Sequence, residues 1–110
     1  MEDQAPSVAI KRIEAQVRRV LSRVDIYKLG KRERAVIEQL RQNLNDARIY
    51  AQDYELSETR EDQLKNAKIA KKWLVSAQAN ILAASQSDMF SPIEVAHLGA
   101  QIEQVMANLK

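Results

Sequence analysis

Residues 55–62 read Glu55-Leu56-Ser57-Glu58-Thr59-Arg60-Glu61-Asp62. Whether this stretch is helix or turn decides the fold. No glycine or proline lies between Gly30 and Pro92, so no strong breaker interrupts the chain there. The phase of the flanking apolar residues does. Before the stretch, Ile37, Leu40, Leu44, Ala47, Ala51 and Tyr54 recur at steps of three and four, with Val36 beside them. After it, Leu64, Ala67, Ala70, Leu74, Ala77 and Ile81 form a second seam, with Trp73 at its edge. At about 100° per residue, the two stripes on one straight helix would point about 120° apart. Ser57 and Thr59 are residue types that cap a new helix. The reading is therefore a turn between two antiparallel helices. Its rival is one helix of about 50 residues that pairs with a second copy as a coiled coil.

Two further seams flank this pair. Ile10, Ile13, Val17, Val20 and Val24 make one stripe, with Leu21 beside it and Ser7 as the expected cap. Gly30 is the expected stop, because glycine takes the left-handed conformation past a helix end. Ser91-Pro92-Ile93-Glu94 has a capping residue, proline at the first helical position and glutamate three after the cap. Phe90 before that cap is placed to staple onto Val95. Val95, Leu98, Ile102, Val105 and Leu109 complete the fourth seam. The expectation is an all-α chain: a small antiparallel, up-down-up-down bundle of four helices over about 7–28, 31–54, 58–87 and 92–109. Residues 1–6 read as a short tail and 7–110 as one domain.

Composition agrees with that class. The chain has 110 residues, two glycines, two prolines and no cysteine. A β-fold needs turn residues every 8–12 positions or so, and they are missing. Zero cysteines exclude a disulfide scaffold and thiolate metal sites. No apolar run approaches the roughly 18 residues of a membrane span, and no apolar signal segment is visible at the start. A cytoplasmic, non-membrane protein is expected.

The net charge of +2 conceals segregation. Residues 11–34 carry nine basic groups against Glu14, Asp25 and Glu33. Residues 46–62 are net acidic, and Lys65, Lys68, Lys71 and Lys72 follow without an acid among them. Lys11, Arg12, Arg18, Arg19 and Arg23 fill the face of the first helix opposite its seam, and Lys65, Lys68 and Lys72 line up on the third. Such faces can neutralise phosphates, or stand solvated and pair weakly with neighbouring acids. No aromatic interleaving of the kind a single-strand stacking platform uses is evident.

Catalytic and metal motifs fail on inspection. Glu94 and His97 form one Glu-x-x-His pair, whereas di-metal bundles need two such pairs and two more core glutamates. His97 is expected to face solvent, with Glu94 engaged in capping. Asp53 to Glu58 begins like a calcium loop, but positions six and twelve hold Glu58 and Leu64 in place of the glycine and glutamate required. Residues 93–106 suggest a helix-turn-helix until the unbroken seam from Val95 to Leu109 is noted. No glycine-rich elbow or phosphate loop is present, and every seam reads as apolar. No enzyme activity, cofactor, metal or small-molecule substrate is expected.

What remains are surfaces for a partner. Ala96 and Ala100, with Ala107 and Gly99 nearby, lie opposite the fourth seam. Ala79 and Ala83 face outward on the third helix. Ile49 stands on the polar side of the second helix, and Trp73 is the large aromatic best placed at an edge. The expected function is a non-enzymatic protein-interaction module that self-associates, using Ile49, Trp73, Ala79, Ala83, Ala96 and Ala100. The alternative is a nucleic-acid or other polyanion binder, using Lys11, Arg12, Arg18, Arg19, Arg23, Lys65, Lys68 and Lys72.

Overall fold

The structure is a computed structural model and describes residues 4–110. Four helices follow one another: α1 (Pro6–Leu21), α2 (Lys31–Leu56), α3 (Arg60–Ser85) and α4 (Pro92–Asn108). The stretch at 55–62 does turn. Helix α2 ends at Leu56, the Ser57 hydroxyl donates to the Asp53 carbonyl at 2.6 Å, and the Thr59 hydroxyl accepts from Asp62 N–H at 3.1 Å. One of the two expected caps starts α3 and the other finishes α2.

Antiparallel order is written in the cross-helix bonds. Ser7 meets Glu55 and Glu14 meets Arg48, so α2 descends as α1 ascends. Asn43 meets Asn80, and Ser57 meets Asn66, which gives the same relation between α2 and α3. Lys110 returns to Tyr54 and Arg60, so α4 descends again. Helices α1 and α3 each pack on both α2 and α4 and lie diagonally across the bundle from each other. The result is an up-down-up-down bundle, in which the two 26-residue helices form a hairpin about 39 Å long.

The core divides by side-chain size. Helix α1 contributes Ile10, Ile13, Val17, Val20 and Leu21, and α4 contributes Leu98, Ile102 and Val105. Between α2 and α3, alanines are prominent: Ala47 and Ala51 on one side, Ala67, Ala70 and Ala77 on the other. Small side chains let two helix backbones approach closely. Apolar burial at about 25 cal/mol per Å² drives the assembly. Met89 and Phe90, between α3 and α4, are also buried and close one end.

Several expectations need correction. Helix α1 begins at Pro6 with Ala5 as its N-cap, and Ser7 is not the cap. Ser7 is buried in the first turn, where its N–H and hydroxyl donate to the Glu55 carboxylate at 2.8 and 2.7 Å. A neighbouring helix thus satisfies an N-terminal N–H that a local cap would otherwise take. The tail assigned to 1–6 therefore ends sooner, and residues 1–3 lie outside the described residues.

Helix α1 also stops at Leu21, not near residue 28. The Ser22 hydroxyl donates to the Arg19 carbonyl at 2.6 Å, and the Asp25 carboxylate accepts from Tyr27 N–H to start a 3-10 turn over Ile26–Lys28. Ser and Asp compete for backbone groups in this way, and two of them within four residues end the helix. Gly30 is consequently not a left-handed stop. It is the N-cap of α2, with φ −73°.

Leu64 was expected in the α3 seam but is 50% exposed. Two successive steps of three, from Leu64 through Ala67 to Ala70, each drift about 60° on a helix and carry Leu64 off the core. The seams are not wholly apolar either: Asn43 is 2% exposed. Its amide nitrogen donates to Asn80 Oδ1 at 2.6 Å, and its Oδ1 accepts from Gln39 Nε2 at 3.0 Å.

Candidate functional site

Helix α3 has apolar residues on its outer face as well as its inner one. Val75 and Leu82 are 55% and 56% exposed and, like Leu64, stand off the seam. Asn66 and Asn80 bond to α2 and so mark its flank toward that helix. At about 100° per residue, Val75 and Leu82 lie about 140–160° round from Asn80, on the side toward α4. Leu64 falls in the same row. The rest of the outer face carries Lys65, Lys68 and Lys72, with Ala79 and Ala83, all exposed.

No carboxylate of the described residues pairs with these lysines. Among the described residues the ion pairs are Arg23 with Glu94, and Arg48 with Glu14 at 2.8 Å. The Lys72 ammonium lies 5.4 Å from the centroid of the Trp73 ring. Trp73 itself is half-buried against the core, and its indole N–H finds no acceptor among the described residues. Ile49 is 42% exposed, as its position on the polar side of α2 implied.

On α4, Ala96 and Ala100 are exposed and Gly99 is half-buried. A Cβ added at Gly99 would meet nothing within 4 Å. Glycine inside a helix costs about 1 kcal/mol relative to alanine, and no packing among the described residues requires it here.

The basic residues do not form one surface. Lys11, Arg12, Arg18 and Arg19 are exposed on α1, and Arg23, expected on that helix, is exposed in the turn after it, but α1 is diagonal to α3. The α1 group and the Lys65–Lys68–Lys72 row therefore present to different sides. Arg23 is also engaged, since its guanidinium donates to Glu94. One correction favours the basic segment: Tyr27 is 96% exposed beside Lys28, so an aromatic does sit among the basic groups.

A concavity of about 840 Å³ opens at the end of the bundle where α1 stops and the α3–α4 link crosses. Arg23, Asp88, Ser91 and Glu94 supply its polar wall, and Met89 and Phe90 lie beneath. The Glu94 carboxylate accepts from Ser91 N–H at 2.9 Å and from Arg23, and these bonds hold its pKa below the usual glutamate range. It is an ionised acceptor with its bonds already made, which is poor equipment for a general acid. Ser91 and Glu94 complete the expected capping box. His97 is exposed beside Gln16 and Arg19 in the α1–α4 groove. Among the described residues, no three His, Cys, Asp or Glu side chains gather as a metal site. No helix among the described residues is long and apolar enough to cross a membrane.

Sequence reasoning missed Val75, Leu82 and Tyr27. The signal for the first two was present, because they stand seven residues apart on α3 and off its seam. Tyr27 was hidden by the assumption that α1 ran through it. Comparisons with protein families, with curated proteins and with solved structures return no match.

Proposed function

We propose that the chain is a non-enzymatic interaction module that covers the outer face of α3 with a helix from another polypeptide. The observation that carries this reading is the exposure of Val75 and Leu82 on a helix whose opposite face is buried in the core. Single exposed apolar residues are ordinary, but here two large ones share a row with Leu64 and border Ala79. Ala83, Ala96 and Ala100 extend a surface of low relief, and Trp73 and Ile49 lie toward the α2 edge. Self-association is the form of this reading in which the second helix comes from another copy.

The test is a photo-crosslinking residue in place of Ala79 in the native host, with Gln39 on α2 as control. An adduct formed from position 79 and not from 39 is the expected result. No adduct above the control overturns the reading. Sedimentation velocity of the isolated chain and of Ala100→Arg then separates self-association from binding to a different protein.

A second reading is polyanion binding through Lys11, Arg12, Arg18 and Arg19, with Tyr27 and Lys28 in the 3-10 turn that follows α1. The exposed Tyr27 ring favours it. Fluorescence anisotropy with mixed-sequence DNA and RNA at low and near-physiological salt tests it. Binding that weakens steeply with salt and is lost when Arg12, Arg19 and Arg23 become Gln supports it. No binding at low salt ends it.

A further inference from the structure

We infer that the occupant of the α3 face is an acidic amphipathic helix of a different protein. The inference rests on the proposed reading of α3 as an interaction face, and adds the chemistry of what it binds.

The outer face of α3 carries apolar and basic residues side by side. Leu64, Val75 and Leu82 form the row toward α4, each at least half exposed. Lys68 lies about 20° from Val75 at the edge of that row, Lys72 near the middle of the face and Lys65 toward α2, all exposed. From Leu64 to Leu82 the row is about 27 Å long, or five turns, which suits a partner helix of about 18 residues. A helix laid along it would set apolar residues at i, i+3, i+4 and i+7 against the leucines and valine. Its flank would then lie over the lysine ammonium groups.

Charge decides what that flank must be. No carboxylate of the described residues pairs with Lys65, Lys68, Lys71 or Lys72. The acids nearest in sequence, Glu61 and Asp62, lie in the first turn of α3, at the foot of the row, where they complement the positive end of the helix. A second copy is the poorer occupant. Two α3 helices brought together at their lysines would oppose four cations with four. Shifted to meet at Val75 and Ala79, they would set each lysine row against the uncharged Leu82–Gln86 end. A helix carrying glutamate or aspartate along one edge leaves no such mismatch, and the lysine stems can cover apolar surface beside it.

The experiment uses the full chain and three fluorescently labelled helical peptides. All share one leucine stripe at i, i+3, i+4 and i+7, and their flanks are glutamate, glutamine or lysine. The expected result is binding of the glutamate peptide at least tenfold tighter than the glutamine one, and none by the lysine peptide. Lys65, Lys68 and Lys72 changed together to Gln should erase that preference, and Val75→Asp with Leu82→Asp should weaken binding at least tenfold. Circular dichroism checks that each variant keeps its helicity, and Leu82→Ala serves if the double aspartate variant unfolds. Equal binding of all three peptides, or a dimer in sedimentation that Leu82→Asp dissolves, overturns the inference and leaves the interaction face standing. Absence of binding by any peptide, from a chain that sediments as a monomer, overturns the inference. The crosslink at position 79 judges the interaction face separately. Displacement of the glutamate peptide by a polyuridylate strand through the same lysines also overturns the inference, since the row would then be reading phosphate.

Discussion

The two ends of the bundle are built differently. At the end holding the α2–α3 turn, polar groups from three helices tie the chain together. Ser7 reaches Glu55, Asn66 donates to the Ser57 hydroxyl, and Arg60 donates to the Lys110 carbonyl at 2.8 Å. At the other end, a segment from 22 to 30 and the link from 86 to 91 surround an open cleft, floored by Met89 and Phe90. The first end is held by hydrogen bonds over a short turn. The second relies on apolar side chains under irregular backbone. Short turns with capping residues leave the chain few choices, whereas longer links are shaped by contacts made far away in sequence.

Four variants would break or sharpen that contrast. The largest effect is expected from Phe90→Ala at the open end, because Phe90 is 2% exposed. Truncating a buried Phe costs about 3–5 kcal/mol, a large part of the stability of so small a domain. Urea denaturation followed by circular dichroism should show the midpoint fall sharply, and an unchanged midpoint would mean the cleft floor contributes little. At the tied end, Ser7→Ala removes the hydroxyl bond to Glu55 and leaves the backbone bond. The expected loss is about 1 kcal/mol, read in the same titration.

Asp88→Gly should act the other way and raise stability by about 1 kcal/mol. Asp88 has φ 59°, a left-handed conformation that costs a side-chain-bearing residue about 1–2 kcal/mol. It occupies the left-handed position of a Schellman cap, in which Met89 N–H bonds the Ala84 carbonyl and Asp88 N–H bonds the Ser85 carbonyl. Its negative charge also faces the negative end of α3. A thermal midpoint that falls would show that the aspartate side chain supports the link in another way.

The smallest effect belongs to Glu94. Its bond from Ser91 N–H, and then Arg23, lower its pKa. The stability it contributes is therefore fully present above the ordinary glutamate range and is lost as pH falls through the lowered value. Glu94→Gln should be slightly less stable than the parent near neutral pH, and the difference should vanish in acid. A gap between the two that stays constant with pH would assign the effect to the side chain's shape and not its charge.

Legibility in the sequence follows the same divide. The α2–α3 turn, the Ser91 capping box and the four seams, Leu64 apart, were readable, because each depends on residues within a turn or two of one another. The end of α1 was not. Val24 continued the apolar spacing, and the pattern outweighed Ser22 and Asp25, whose backbone bonds finish the helix. The role of Ser7 was beyond reach, since its partner lies 48 residues away. The outer face of α3 was half legible. Its lysines and alanines were picked out, but Val75 and Leu82 were overlooked because attention to the seam treats every other apolar residue as incidental.

The buried Asn43–Asn80 bond has a consequence for how this chain can go astray. Sliding α2 past α3 by one turn would set Asn43 against the methyl of an alanine, such as Ala77 or Ala84, and strand a buried amide. The pair thus rejects misaligned hairpins. It is indifferent, however, to which molecule supplies Asn80. Two chains whose 57–59 turns straighten could exchange their second halves and satisfy both amides between them. The turn preference of Ser57, Glu58 and Thr59, the phase offset between the two seams and the bonds at that end all oppose such an exchange. Substitutions in those three residues should therefore be judged first by molecular mass, and only then by melting temperature.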